Sequence, residues 1–262
     1  MFRISKTIAA ALVLAAAGAC GGSDTSKSAK PASPAAAPDA KKVDTATAGS
    51  ISGKVVVDGT LPANQPIQMS SDPTCAAAHK NGATTESYMV DNGGLNNVFV
   101  YLKEGLGNKY LFDVPTDPVK IDQHGCQYVP HVLGVRVGQP LEVANSDTTM
   151  HNVHGMAETN KEFNFGEPVP MSKTVAFTAP EVMIPFKCDV HAWMNAYIGV
   201  VDHPYFAVTA NGGKFDLRDV PPGTYTVEAW HEKLGTQTQS VTLGEKDKKE
   251  ITFTFKASAA TK

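Results

Sequence analysis

Between Ile51 and Phe255 the apolar residues come in short runs closed by Gly, Pro, Asn or Asp. Ile251-Thr252-Phe253-Thr254-Phe255 alternates cleanly, and Thr224–Trp230 does so over most of its length. Successive strand side chains point to opposite faces, so such runs read as half-buried β-strands. Further runs of this kind are Gly53–Val57, Asn97–Tyr101, Val132–Val137 and Thr174–Phe177. Their spacing predicts an all-β fold of sandwich type, and a stretch of this length holds one elaborated sandwich or two small ones.

The N-terminus has a different pattern. Arg3 and Lys6 precede an apolar run from Ile8 to Ala19 that ends in Ala17-Gly18-Ala19. A charged start, a short apolar stretch and small residues at the cut describe an export signal over residues 1–19, too short to span a membrane stably. Cys20, followed by Gly21-Gly22-Ser23, also resembles the site at which bacterial lipoproteins receive their lipid, although Ala17-Gly18-Ala19 alone suits ordinary signal cleavage. We expect lipidation of Cys20, membrane attachment through that lipid, and a periplasmic or cell-surface location. Residues 20–50, rich in Ala, Pro, Ser, Lys and Thr, lack the apolar surface that would offset the entropy of ordering them. They read as a tether with a reach on the order of 30 Å.

Chemistry concentrates in two places. One is Phe186-Lys187-Cys188-Asp189-Val190-His191-Ala192-Trp193-Met194, and the other is His151-Asn152-Val153-His154. A thiolate, two imidazoles and a thioether are the donors of a blue-copper site, His2Cys with a weak axial Met. The spacing of Cys188, His191 and Met194 lets one tight loop supply three of them while a distant strand supplies the fourth. Each residue has a plainer use: a lone Cys or Met is usually core packing, and His is often an ordinary polar group. All four in this order are far harder to reach by coincidence. His154 sits on the opposite strand face from His151 if the segment is extended, so it is expected to be exposed or to lie behind the ligands. His79, His124, His131, His203 and His231 show no partner pattern.

On these residues the stretch from about Leu111 to Asp202 resembles a cupredoxin, and in particular amicyanin and plastocyanin. The apolar strand Val135–Asn145, with its Gly-containing turn, leads into His151-Asn152-Val153, and the short Cys, His, Met loop is similar to the amicyanin type. The resemblance implies one copper ion, cycling between Cu(I) and Cu(II), with ligands His151, Cys188, His191 and Met194. It also implies that Asn152 ties the two ligand loops together. Val190 and Ala192 stand where amicyanin-like loops carry Pro, and Trp193 follows as a candidate docking residue. With Cys20 lipidated and Cys188 on copper, Cys75 and Cys126 remain for a disulfide in an oxidising compartment. The alternative is Cys126 joining His124 in a second metal site.

The segment Lys214–Val227, with Val220-Pro221-Pro222-Gly223 at its centre, resembles the carboxypeptidase regulatory-like or transthyretin-like sandwich. There a Pro-Pro-Gly turn joins two strands, Gly supplying a positive φ. The expected boundaries are therefore a Greek-key cupredoxin-like domain over 51–202 with its core at 110–202, a second small sandwich over 203–256 and a tail over 257–262. In the alternative, the early strands, beginning with Ser52–Gly59, complete the second sandwich and the cupredoxin is inserted into it.

Charge adds one exclusion. The chain has 23 basic and 26 acidic side chains, and residues 51–256 have 16 against 23. That balance excludes the basic stripes that nucleic acid requires. Paired catalytic carboxylates, a Gly-rich phosphate loop and a Ser-His-Asp order are not apparent. The sequence thus points to a non-enzymatic carrier of single electrons between redox proteins. A copper carrier or store, and a red-copper enzyme with an open coordination position, are the alternatives.

Overall fold

A computed structural model describes residues 37–257, so the signal segment, Cys20 and most of the tail lie outside the described residues. In chain order the elements are β1 (Gly49–Asp58), β2 (Pro66–Ile67), helix α1 (Pro73–Ala78), β3 (Ala83–Thr84), β4 (Val90–Asp91), β5 (Gly94–Leu95) and β6 (Phe99–Glu104). Then follow β7 (Val119–His124), β8 (Gln127–Val129), β9 (Val132–Arg136), β10 (Leu141–Asn145), β11 (His151–Gly155), β12 (Phe163–Glu167), β13 (Met171–Val175), β14 (Glu181–Lys187) and β15 (Asn195–Val201). The last five are β16 (Phe206–Val208), β17 (Lys214–Val220), β18 (Gly223–His231), β19 (Gly235–Leu243) and β20 (Lys248–Lys256).

The fold is all-β, as the alternation predicts, and it forms two sandwiches. In the first, the sheet β13-β10-β7-β8 packs on β12-β11-β14-β15-β9. Its core includes Ile121, Leu141, Val143, Val153, Phe186 and Ile198. The second pairs β17-β1-β20 with β16-β6-β18-β19 around Ile51, Val55, Val227, Phe253 and Phe255. In β20, Phe253 and Phe255 are buried while Thr252 and Thr254 are exposed, which is the expected two-residue period.

Three expectations need correction. First, β1 pairs with β17 and β20, and β6 pairs with β16 and β18. The early strands therefore belong by hydrogen bonding to the second sandwich, not to a cupredoxin-like domain starting at residue 51, and the first sandwich is inserted between β6 and β16. Second, residues 37–48 are not a free tether. Ala37 and Lys41 donate backbone N–H groups to Asn108 and Lys109, and Leu111 donates to Lys41, so edge hydrogen bonds offset the cost of ordering a polar segment. Third, Gly223 does not supply a positive φ to the Val220–Gly223 turn; the residue in the left-handed region nearby is Asp219 (φ 53°), just before it in β17. Gly223 provides space instead: a Cβ there would lie 2.8 Å from the Tyr225 hydroxyl, which donates to the Pro221 carbonyl at 2.6 Å.

The two sandwiches meet at a pair of glycines. Gly134 of β9 and Gly199 of β15 are register partners. Phe206 and Phe99 lie against the Gly134 position, and Phe99 also lies against Gly199, where any Cβ would fall within 3.0 Å of a ring. The bare backbone is the floor on which the second sandwich seats its aromatic side chains.

Candidate metal centre

All the candidate ligands lie at one end of the first sandwich. His151 opens β11, Cys188 follows the last residue of β14, and His191 and Met194 occupy the loop before β15. The loop is closed by its own backbone: Cys188 N–H donates to Met194 O at 3.2 Å and Met194 N–H to His191 O at 2.9 Å. His151 and His191 bring their Nδ1 atoms within 3.0 Å of each other. Cys188 Sγ lies 4.0 Å from His151 Nδ1 and 3.9 Å from His191 Nδ1. Exposure is 0% for His151, 2% for Cys188 and 3% for His191, so these three donor atoms face one another out of water, and Met194 is likewise buried, at 1%.

The protonation of these groups follows from that proximity. Burial works against charge on His151, but Asp147 and the Cys188 thiolate outweigh it and push its pKa up to about 9. Burial likewise opposes the Cys188 thiolate, yet His151 and nearby backbone N–H groups bring the thiol below its ordinary value. His191 is pulled down, first by burial and then by the neighbouring His151 charge. A soft thiolate and two imidazole nitrogens converging in a dry pocket fit copper, and Met194 is buried in the same loop.

Asn152 stands where the resemblance placed it. Its Oδ1 accepts the backbone N–H groups of Asp189 and Val190, and its Nδ2 donates to Asp189 Oδ2 at 3.1 Å. One side chain on β11 thus holds the start of the ligand loop. His154 points away from the centre and contacts Glu162 at 2.7 Å and Asp189 at 3.3 Å, as strand alternation predicts. Trp193 is half-buried, with its ring centroid 5.0 Å from that of His191 and its indole N–H donating to Cys126 O at 3.0 Å.

Cys75 and Cys126 are joined in a disulfide, and Cys188 is the free thiol among the described residues. The bond links α1 to the β7–β8 turn. There Gly125 (φ 62°) and Cys126 (φ 55°) both lie in the left-handed region, the geometry of a type I′ hairpin. That turn aims two N–H groups at Asp147, from Gly125 at 2.8 Å and Cys126 at 2.7 Å.

Sequence reasoning missed the carboxylates behind the ligands. Asp147 Oδ2 lies 3.0 Å from His151 Nε2, and Asp72 Oδ2 lies 3.1 Å from His191 Nε2. Asp72 also caps α1 through Thr74 and Cys75 N–H and accepts the Thr149 hydroxyl at 2.7 Å. Its one legible signal was Asp72-Pro73, an N-cap followed by Pro at the first helical position. Nothing in it pointed to a histidine 119 residues away.

A carboxypeptidase regulatory-like domain model matches residues 194–256. That range opens on Met194 and takes in β15, a strand of the first sandwich, while omitting β1 and β6, which complete the second. Comparison with curated proteins found no match. Among solved structures, an oxidised amicyanin variant is 21% identical, with a TM-score of 0.29 over 32% of this chain and 81% of the other. The Cu(I) form of another amicyanin variant is 24% identical, with a TM-score of 0.29 over 34% and 87%. A copper-containing nitrite reductase from Thermus scotoductus is 16% identical, with a TM-score of 0.31 over 57% of this chain and 28% of that one. The chain is thus a pair of β-sandwiches, the first with His151, Cys188 and His191 converging at one end and the second overlapping the match to the carboxypeptidase regulatory-like domain.

Proposed function

We propose that this protein is an extracytoplasmic type 1 copper protein that carries single electrons between redox partners and is held at the membrane by lipid on Cys20. The observation that carries the reading is the burial of His151, Cys188 and His191 with their donor atoms turned toward one another. Bound there, copper supplies a one-electron Cu(I)/Cu(II) couple. The chain keeps the pocket dry, fixes both imidazoles from behind and closes the ligand loop on its own backbone, so little has to move when charge changes. That suits electron transfer better than substrate chemistry, which needs an open position. Loss and recapture of metal, as a copper carrier would require, are opposed by α1 and the disulfide beside His191. Partner docking falls to the exposed edge of Trp193. Among the described residues no helix is long and apolar enough to cross a membrane.

The test is the absorption spectrum and voltammetry of the copper-loaded protein. An intense thiolate-to-copper band near the red end, with a reversible one-electron couple and no loss of metal, is expected. A weak, tetragonal copper spectrum would overturn the reading, and metal release on reduction would favour the carrier.

A further inference from the structure

The outward nitrogens of the two imidazoles are held by carboxylates, Asp147 four residues before His151 and Asp72 119 residues before His191, and each carboxylate is anchored beside one half of the same disulfide. Asp147 accepts His151 Nε2–H and is itself fixed by the N–H groups of Gly125 and Cys126. Asp72 accepts His191 Nε2–H and is fixed by the N–H of Cys75, the N–H of Thr74 and the Thr149 hydroxyl. The Cys75 sulfur lies 3.7 Å from His191 Nε2. A six-residue helix has no stability of its own, and α1 belongs to no sheet. What fixes it against the centre is the disulfide, the Asp72 contacts and a 2.6 Å bond between His79 Nε2 and Gly125 O.

We infer that the Cys75–Cys126 disulfide is the staple of the metal centre and that Asp72 and Asp147 are positioning residues. The covalent bond joins α1, whose N-cap Asp72 holds Nε2 of His191, to the β7–β8 turn, whose N–H groups hold Asp147 against Nε2 of His151, and so turns Nδ1 of each ring toward the metal. The inference rests on the ligand reading above. Its physical content is that an imidazole without such an acceptor can carry its hydrogen on either nitrogen and can turn its ring over. With the acceptors in place, Nε2 of each ring points outward and Nδ1 of each ring faces Cys188. Removing Asp72 therefore frees one ring, removing Asp147 frees the other, and opening the disulfide frees both.

The test is nuclear magnetic resonance of the Nε2–H groups in the metal-free full chain, with copper affinity measured by chelator competition. Wild type is expected to give a sharp, slowly exchanging Nε2–H signal from each ring. Asp72→Ala should lose the His191 signal and keep that of His151, Asp147→Ala should do the reverse, and each should weaken copper binding about ten- to a hundredfold. Asp72→Glu should restore the His191 signal, a rescue that a merely structural role does not predict. Treating the native protein with dithiothreitol, which supplies two electrons and two protons to make two thiols, should lose both signals. This arm covers the case in which the Cys75→Ser, Cys126→Ser protein fails to fold. Unchanged His191 exchange in Asp72→Ala, or both signals surviving disulfide reduction, overturns the inference. Wild type with both signals protected but no thiolate-to-copper band overturns the electron-carrier reading and leaves the staple supported.

Discussion

Asn152 and Asp189 are 37 residues apart in sequence, yet the Asn152 side-chain carbonyl accepts the Asp189 backbone N–H and its amide donates to the Asp189 carboxylate. The residue after one candidate ligand thus fastens the residue after another. Asn152→Ala should leave the N–H groups of Asp189 and Val190 without their acceptor, costing about 1–3 kcal/mol of stability. Copper affinity should fall about ten- to a hundredfold. Thermal unfolding and chelator competition check both, and an unchanged affinity would show that the loop holds its shape alone.

Cys188→Ser should abolish the intense visible band, because a hydroxyl cannot replace the thiolate as the donor of that charge transfer. Absorption spectroscopy of the copper-loaded variant decides it. A surviving strong band would move the thiolate ligand elsewhere.

In Met194→Leu, copper should stay bound, since an axial thioether is a weak donor, while the reduction potential should rise through loss of a group that stabilises Cu(II). Voltammetry is the measurement. Identical potential and spectrum would mean that the buried Met194 only fills space.

His151→Ala should cost far more copper affinity than His154→Ala, whose imidazole faces Glu162 and Asp189 on the other side of β11. Electron paramagnetic resonance separates the two: the narrow copper hyperfine splitting should persist in His154→Ala and be lost in His151→Ala unless imidazole is added. Equal loss in both would place two ligands on this strand.

Asp72 ties acid sensitivity to the cover over His191. Burial raises its pKa, but bonds from Thr149, Cys75 N–H, Thr74 N–H and His191 outweigh this and hold it at about 2, below the ordinary 3.8. A folded value below the unfolded one gives stabilisation that is complete above about pH 4 and is lost as pH falls toward 2. Hydrogen exchange of α1 should therefore accelerate across that window, and Asp72→Asn should remove the acceleration. Wild type and variant with the same profile would mean that another group fastens α1.

The candidate ligands were legible because thiolate, imidazole and thioether in one order are chemically uncommon, and because strand alternation separates His151 from His154. The strands of β18 and β20 were legible for the same periodic reason. Where β1 belongs was not settled by its residues, since a short apolar run such as Gly53-Lys54-Val55-Val56-Val57 does not name its neighbours, and its place as the central strand between β17 and β20 decides. Asp72 and Asp147 were hidden for a different cause. A carboxylate acquires meaning from the nitrogen it meets in space: Asp72 meets a histidine 119 residues away, and Asp147, four residues before His151, meets it only through the turn between β10 and β11. The Trp193 indole, bonded to Cys126 O, shows the same limit.

The insertion of the first sandwich between β6 and β16 has a consequence for modularity. Its point of departure and its point of return are neighbours: Leu102 N–H donates to Tyr205 O at 3.1 Å, and β6 and β16 pair side by side. A host whose exit and entry already touch carries a guest of any length at little further entropic cost, since closing the connection is done by the host's own ladder. A short link from Glu104 to Phe206 would leave every strand pair of the outer sandwich intact. The outer sandwich is in this sense a socket, and the first sandwich is a guest joined to it at two adjacent chain crossings and seated on it through Gly134 and Gly199.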